Sequence, residues 1–294
     1  MLAAAAAAPV ALSVAAPKGR VRDVATCALQ MWAYLAAYEM PNDDPEALRD
    51  RVHIEYPIKI DRVIGLGKIP TQRLQNLFSQ EGEINRFERV LVWSHWAWFA
   101  VPHLAVAYVA LRRPKDLGTA AARMYAVYDL GAVIYWTVPT APPWWAAAHG
   151  YLEELDGHVE VGEFGHRNDD TGLPLPVRRM MLEYGERFWG SRWNDLYDVL
   201  GGNPLAAMPS LHFATSLMAA RLLSEVDPVA GVIGWSYAAT LGLALVYLGE
   251  HYAADVIVGG MLAEGVHRGA GPATPAVHMV TRTLRRLRSL AEDG

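Results

Sequence analysis

Cysteine is almost absent from this sequence: Cys27 is the only one in 294 residues. An intrachain disulfide and a cysteine-built zinc site are both excluded. Charge is scarce as well. Asp, Glu, Lys and Arg make up 19% of the chain against 52% for hydrophobic residues, a balance that leans towards a membrane protein. Nor is there a basic excess. The 26 Lys and Arg face 31 Asp and Glu, for a formal net charge of −5, so nucleic acid is not an expected partner. No internal repeat stands out, and no linker cuts the chain in two. The alanine-rich run Met1 to Ala16 lacks the positively charged start of a secretory signal and reads as a disordered tail over residues 1–20.

Tryptophan is what the sequence has in quantity. The ten Trp cluster at the ends of apolar runs, as in "VWSHWAWF" and "PPWWAAAHG", which suits the aromatic belts of a bilayer. Six apolar segments follow one another: Val24–Met40, Val90–Leu111, Ala121–Pro139, Ala206–Leu223, Val229–Leu248 and Tyr252–Val266. Several approach the roughly 20 residues that a helix needs to cross hydrocarbon. "VIGWSYAATLGLALVYL" is apolar on all faces, unlike a helix with one face in water. The mean hydropathy of +0.10 leaves room for substantial polar loops. The expected fold is all-α, a polytopic membrane bundle of about six transmembrane helices. It forms one domain over residues 21–270, followed by a basic cytoplasmic tail at 271–294.

The basic stretches "KGRVR" and "TRTLRRLRS" place both ends of an even-numbered bundle in the cytoplasm, together with "LRRPKD". Residues 41–89 and 140–205 then lie outside the cell membrane. Within the second, 177–202 alternates aromatic and charged residues at helical spacing and reads as an interfacial helix. The acidic stretch 151–172 reads as a loop. Its His158, His166, Asp169 and Asp170 show no tight metal-ligand spacing, so no metal site is expected.

Two apolar stretches carry the chemistry, "AMPSLHFATS" at 207–216 and "LGEHYAADVIVGG" at 248–260. His251 and Asp255 are four apart, which on a helix puts them on one face. The carboxylate can accept from one ring nitrogen, fix the tautomer and leave the other nitrogen a nucleophile or base. His212 is a second titratable group, suited to protonating a leaving group. Pro209 suits a first helical turn, and Ser210 with the free amides of that turn offers an anion cradle. His212 and His251 fall at the outer ends of their spans, at one depth. The set supports phosphoryl transfer through a phosphohistidine, with no metal and no cofactor. A proton relay in a polytopic transporter or binding protein would use the same His–Asp pair; the Pro-Ser-x-His helix start favours anion chemistry. "GLGKIP" at 65–70 has the wrong glycine spacing for a phosphate-binding P-loop. His103 and Asp129 read as polar residues that bond a neighbouring helix.

"PSLH" followed by "HYAAD" resembles the type-2 phosphatidic acid phosphatase superfamily. "IGLGKIPTQRLQ", "VPTAPPWW" and "GGNPLAAMPSLHFATS" look closest to its branch of inositol phosphorylceramide synthases, actinobacterial members especially. The resemblance implies a six-span bundle with an outer-leaflet active site and a membrane lipid as substrate, with an alcohol as acceptor in a transferase. It implies His251 as nucleophile, Asp255 as its orienter, His212 as acid and base, and Ser210 in phosphate binding. The chain departs from the family pattern in its cations. Leu245 stands where the family has an arginine, Ala244 where it has a serine, and Val106 where the first motif has its lysine. Arg113-Pro114 mimics the end of that first motif but falls on the cytoplasmic side. By position, Lys68, Arg89 and Arg192 are the candidate phosphate-binding cations.

Overall fold

The computed structural model of the chain describes residues 2–17, 19–40, 44–79, 84–152, 176–193 and 203–292. Within them the secondary structure is α-helical, apart from a 3-10 turn at Pro114–Asp116 and two isolated bridges that tie Thr140 to His53 and to Ala206. In chain order the helices are α1 Leu2–Ala15, α2 Arg20–Glu39, α3 Pro45–Arg49, α4 Glu55–Ile64, α5 Pro70–Phe78, α6 Arg86–Ala97, α7 Val101–Arg112, α8 Leu117–Thr137, α9 Pro143–Ala148, α10 Met180–Trp189, α11 Leu211–Val226, α12 Pro228–Tyr247 and α13 Ala253–Glu292.

The hub is α11, which packs against α7, α8, α12 and α13. Its buried face is largely small: Ala214, Thr215, Ser216, Ala219 and Ala220. Small residues let backbones approach and pack without a large apolar driving force. Gly234 of α12 faces the Ala220 backbone, and Gly231 faces Ser224. The α11–α12 turn is set by Asp227, whose side chain accepts from the amides of Val229 and Ala230, with Pro228 at the first helical position. On the other side Met124, Val127, Tyr128 and Tyr135 of α8 join Tyr34, Met218 and Leu222 in the main core.

The expected segments meet this fold unevenly. Val90–Leu111 is two helices, α6 and α7, with an angle of 58° between them across Trp98–Ala100. The fourth segment becomes helical only at Leu211, because Ser210 is the cap. The sixth continues without a break as a 40-residue helix to Glu292, so among the described residues no break in the backbone marks the start of the expected tail at 271. The alanine-rich start, expected as a disordered tail, is instead the helix α1. It packs on α2 and α13, as an alanine run with low helix-forming cost can. The interfacial stretch 177–202 is helical at α10, and its part beyond Trp193 lies outside the described residues, as do His158, His166, Asp169 and Asp170.

Among the described helices, Pro228–Tyr247 alone is long and apolar enough to cross a membrane, and the bent pair α6–α7 passes when taken together. The other long helices carry more charge. Arg20, Arg22, Asp23 and Glu39 sit in α2, and Arg123 and Asp129 in α8. The ends of α8, α11 and α12 and the start of α13 converge, and there the two histidine motifs lie.

Candidate active site

Ser210 joins the two motif helices. Its Oγ accepts from the Phe213 amide at 3.3 Å, capping α11. Its own amide donates to the carbonyl of Asp255 at 3.0 Å. A Cβ at Gly259 would collide with the Ser210 carbonyl oxygen, so glycine is what lets α13 approach. From α8, Tyr135 Oη donates to the Pro209 carbonyl at 2.7 Å and takes the Leu211 amide at 3.4 Å. This corrects one expectation: Pro209 precedes the cap instead of opening the helix. The Ser210 hydroxyl is buried in the cap.

His251 lies in the short connection between α12 and α13. Its amide donates to the Leu245 carbonyl at 3.1 Å, and Gly249 supplies a positive φ of 79° that permits the turn. His251 therefore precedes the helix that carries Asp255, and the pair brackets a helix start instead of sharing one helical face. Asp255 is fully buried in the first turn of α13. Its Oδ2 accepts from the Tyr252 amide at 2.8 Å and stands 3.5 Å from His251 Nδ1. The first contact is half of a capping box, and a carboxylate here also complements the helix dipole. The second is in ion-pair range but longer than a full hydrogen bond.

The two histidines meet directly. His212 Nδ1 and His251 Nε2 are 3.1 Å apart. If the Nδ1–H of His251 is turned towards Asp255, Nε2 keeps its lone pair and accepts from Nδ1–H of His212. His212 is ringed by aromatics, with Trp98 at 4.2 Å and His95 at 4.8 Å between ring centroids. Trp98 is itself held by a 2.8 Å hydrogen bond from Nε1 to Thr215 Oγ1.

Sequence reasoning missed Asp61. This fully buried carboxylate on α4 accepts from the amides of Ala254 at 2.8 Å and Ala253 at 2.9 Å. It thus caps α13 from outside, satisfying two donors that a helix start leaves open. Burial pushes its pKa up to about 6, against the opposing pull of those two amides. Nothing within "EYPIKIDRVI" marks Asp61 as different from the charges around it; its partners lie some 190 residues on.

Lys68, Arg89 and Arg192 are exposed, and Arg89 spends its Nε on the Ile84 carbonyl at 3.2 Å. Arg113 donates to the Val226 carbonyl at the far end of α11, about 21 Å along the helix from His212 at 1.5 Å per residue. Leu245 and Ala244 are fully buried apolar residues. What the fold brings to the His251 loop is Arg179. Its guanidinium lies 3.7 Å from the Trp144 ring centroid, and the Trp144 amide donates to the Gly249 carbonyl at 3.1 Å. Burial raises the carboxyl of Glu250, next to His251, above its ordinary value, and Arg179 opposes that rise. The neighbouring Arg178 is bound to Glu183 at 2.6 Å, and its backbone is tied to α5 and α12 by Gln75.

A comparison with curated proteins returned no match, nor did one with solved structures. A family model described as the PAP2 superfamily matches residues 58–268 of the 294. That interval contains Asp61, Ser210, His212, His251 and Asp255, and members of this superfamily are generally phosphatases or phosphotransferases. The chain belongs to the PAP2 superfamily.

Proposed function

We propose that this protein is an integral membrane enzyme that cleaves or transfers a phospho-group on a lipid through a phosphohistidine on His251. The observation that carries this reading is the 3.1 Å approach of His212 Nδ1 to His251 Nε2. A phospho-group that displaces this hydrogen bond frees the Nε2 lone pair of His251 for attack and leaves His212, as the imidazolium, a proton donor to the leaving oxygen. His251 Nε2 attacks, the bond from phosphorus to the leaving oxygen breaks, and His212 gives that oxygen its proton. A water or an alcohol then attacks the phosphohistidine, His212 takes back a proton, and the N–P bond breaks to restore His251. Asp255 holds the His251 tautomer and stabilises the imidazolium that forms. Ser210 contributes by fixing the helix start on which His212 stands, and Arg179 by its charge beside the His251 loop.

Membrane embedding is supported by the apolar side chains that point away from the bundle. Val229, Val232 and Ile233 of α12 are 68%, 67% and 64% exposed, and Leu104, Val133 and Met261 carry the same pattern onto α7, α8 and α13. A soluble surface rarely tolerates so extended a patch; hydrocarbon is its natural solvent. In this reading α2, α6–α7, α8, α11, α12 and α13 are six spans, with the histidines at the outer leaflet. The resemblance of "GGNPLAAMPSLHFATS" to inositol phosphorylceramide synthases extends the reading to a phosphotransferase with an alcohol acceptor. Family membership favours this chemistry over a proton relay.

The test is direct. Purified protein incubated with lipid labelled at the phosphate is expected to form an acid-labile, alkali-stable phosphoenzyme that His251→Ala abolishes. Phosphate release or transfer without that species, or a phosphoenzyme that survives His251→Ala, would overturn the mechanism.

A further inference from the structure

His95 has no part in the reaction described above, yet it lies against it. The residue is on α6, only 8% exposed, and neither ring nitrogen has a hydrogen-bond partner among the described residues. Its ring is 4.8 Å from that of His212, tilted by 32°. A buried imidazole with two unmet polar atoms is a costly way to fill space that a phenyl ring of similar shape would fill without penalty. Nor is its position loose. A capping box between Asn85 and Glu88 starts α6. Tyr247 Oη donates to Glu88 at 2.8 Å, and Tyr237 Oη donates to the Ser94 carbonyl at 3.0 Å. Both tyrosines belong to α12, the helix that leads into the His251 loop. The stitching that sets His251 thus sets His95 as well.

Resting on the phosphoryl-transfer reading, we propose that His95 is a third imidazole of the site, a hydrogen-bond donor to an oxygen of the phospho-group held between His212 and His251. The site has need of one. Leu245 and Ala244 put hydrocarbon where the family carries an arginine and a serine, and Lys68, Arg89 and Arg192 are exposed. A neutral N–H in an apolar wall gives a directed donor, which suits a group whose charge shifts between its oxygens as bonds to phosphorus form and break.

The probe is orthovanadate, which adopts the five-coordinate geometry of phosphoryl transfer. Its binding to the purified full chain in lipid nanodiscs is measured by vanadium NMR for wild type, His95→Phe and His95→Gln, together with KM and kcat on labelled lipid phosphate. His95→Phe is expected to weaken vanadate about ten- to a hundredfold, the loss of one hydrogen bond to a charged group. His95→Gln, whose amide can still donate, is expected to recover part of that loss. Size-exclusion profiles matching wild type keep the comparison to folded protein, and His95→Leu, which also removes the donor, serves if the Phe variant does not fold. Vanadate affinity and kcat/KM unchanged in folded His95→Phe would reduce His95 to packing while leaving the reaction intact. A wild type that neither binds vanadate nor forms a phosphoenzyme would overturn the phosphoryl reading itself, and this inference with it.

Discussion

The imidazoles of His212 and His251 stand 39 positions apart in the chain and 3.1 Å apart in the fold, Nδ1 to Nε2. Neither sits in a helix interior at this contact: His212 is in the first turn of α11, and His251 precedes α13. What holds them together is the backbone bond from the Ser210 amide to the Asp255 carbonyl, 3.0 Å long, and the close passage of Gly259 beneath it.

Replacement of His251 by Ala or Gln is expected to abolish turnover while leaving the bundle folded, since the ring takes no part in capping or in the core clusters. Asp255→Asn is expected to leave a slow enzyme, down by up to about 10⁴-fold, because the imidazole can then settle in the wrong tautomer. Steady-state rates on labelled lipid, beside size-exclusion profiles, distinguish the two. Wild-type activity in Asp255→Asn would make the 3.5 Å approach to His251 a structural contact only.

Asp61→Asn replaces one of two acceptors by a donor that faces an amide, and is expected to cost about 1–3 kcal/mol of stability and to lower kcat more than it raises KM. The pH dependence follows from the pKa of about 6, raised above the ordinary carboxyl value. The folded state keeps this proton where the unfolded chain has lost it. Its contribution is therefore full below about pH 4 and is lost as pH rises to about 6. Melting curves of wild type and Asp61→Asn across pH 4–7 are expected to show that slope in wild type alone. Parallel curves would mean that Asp61 is not titrating in this window.

Gly259→Ala is expected to be damaging out of proportion to one methyl group. The new Cβ meets the Ser210 carbonyl oxygen, and relief comes only by moving α13 from α11, which separates the histidines. A stability loss of about 1–3 kcal/mol with at least a tenfold fall in kcat is expected. Gly265→Ala on the same helix meets nothing within 4 Å and is expected to be neutral or slightly stabilising. Equal behaviour of the two variants would refute the close-approach argument.

Sidedness is testable with cysteines at Lys68 and Lys115, both exposed, in a Cys27→Ser background. An impermeant thiol reagent on intact cells is expected to label position 68, which follows the helix that caps α13, and to spare 115. The reverse pattern would put the histidines in the cytoplasm.

The sequence by itself determined the helical class, the apolar runs and the two motifs, because each is local. Helical periodicity, a Pro-Ser-x-His helix start and a His–Asp spacing of four can be read within a dozen residues. It also excluded Arg113 from the site, through charge placement along the chain. What only the tertiary structure decided depends on contacts between distant segments. Asp61 caps a helix some 190 residues away, and no pattern near it announces that. His95 lies in an aromatic run, and only the packing of α6 against α12 brings its ring to His212. Lys68, Arg89 and Arg192 are candidates by position along the chain, and that position by itself does not say that the fold leaves all three exposed. The break at Trp98–Ala100 lies just before Pro102, in the first turn of α7; that local signal is passed over when a run is measured only by how apolar it is.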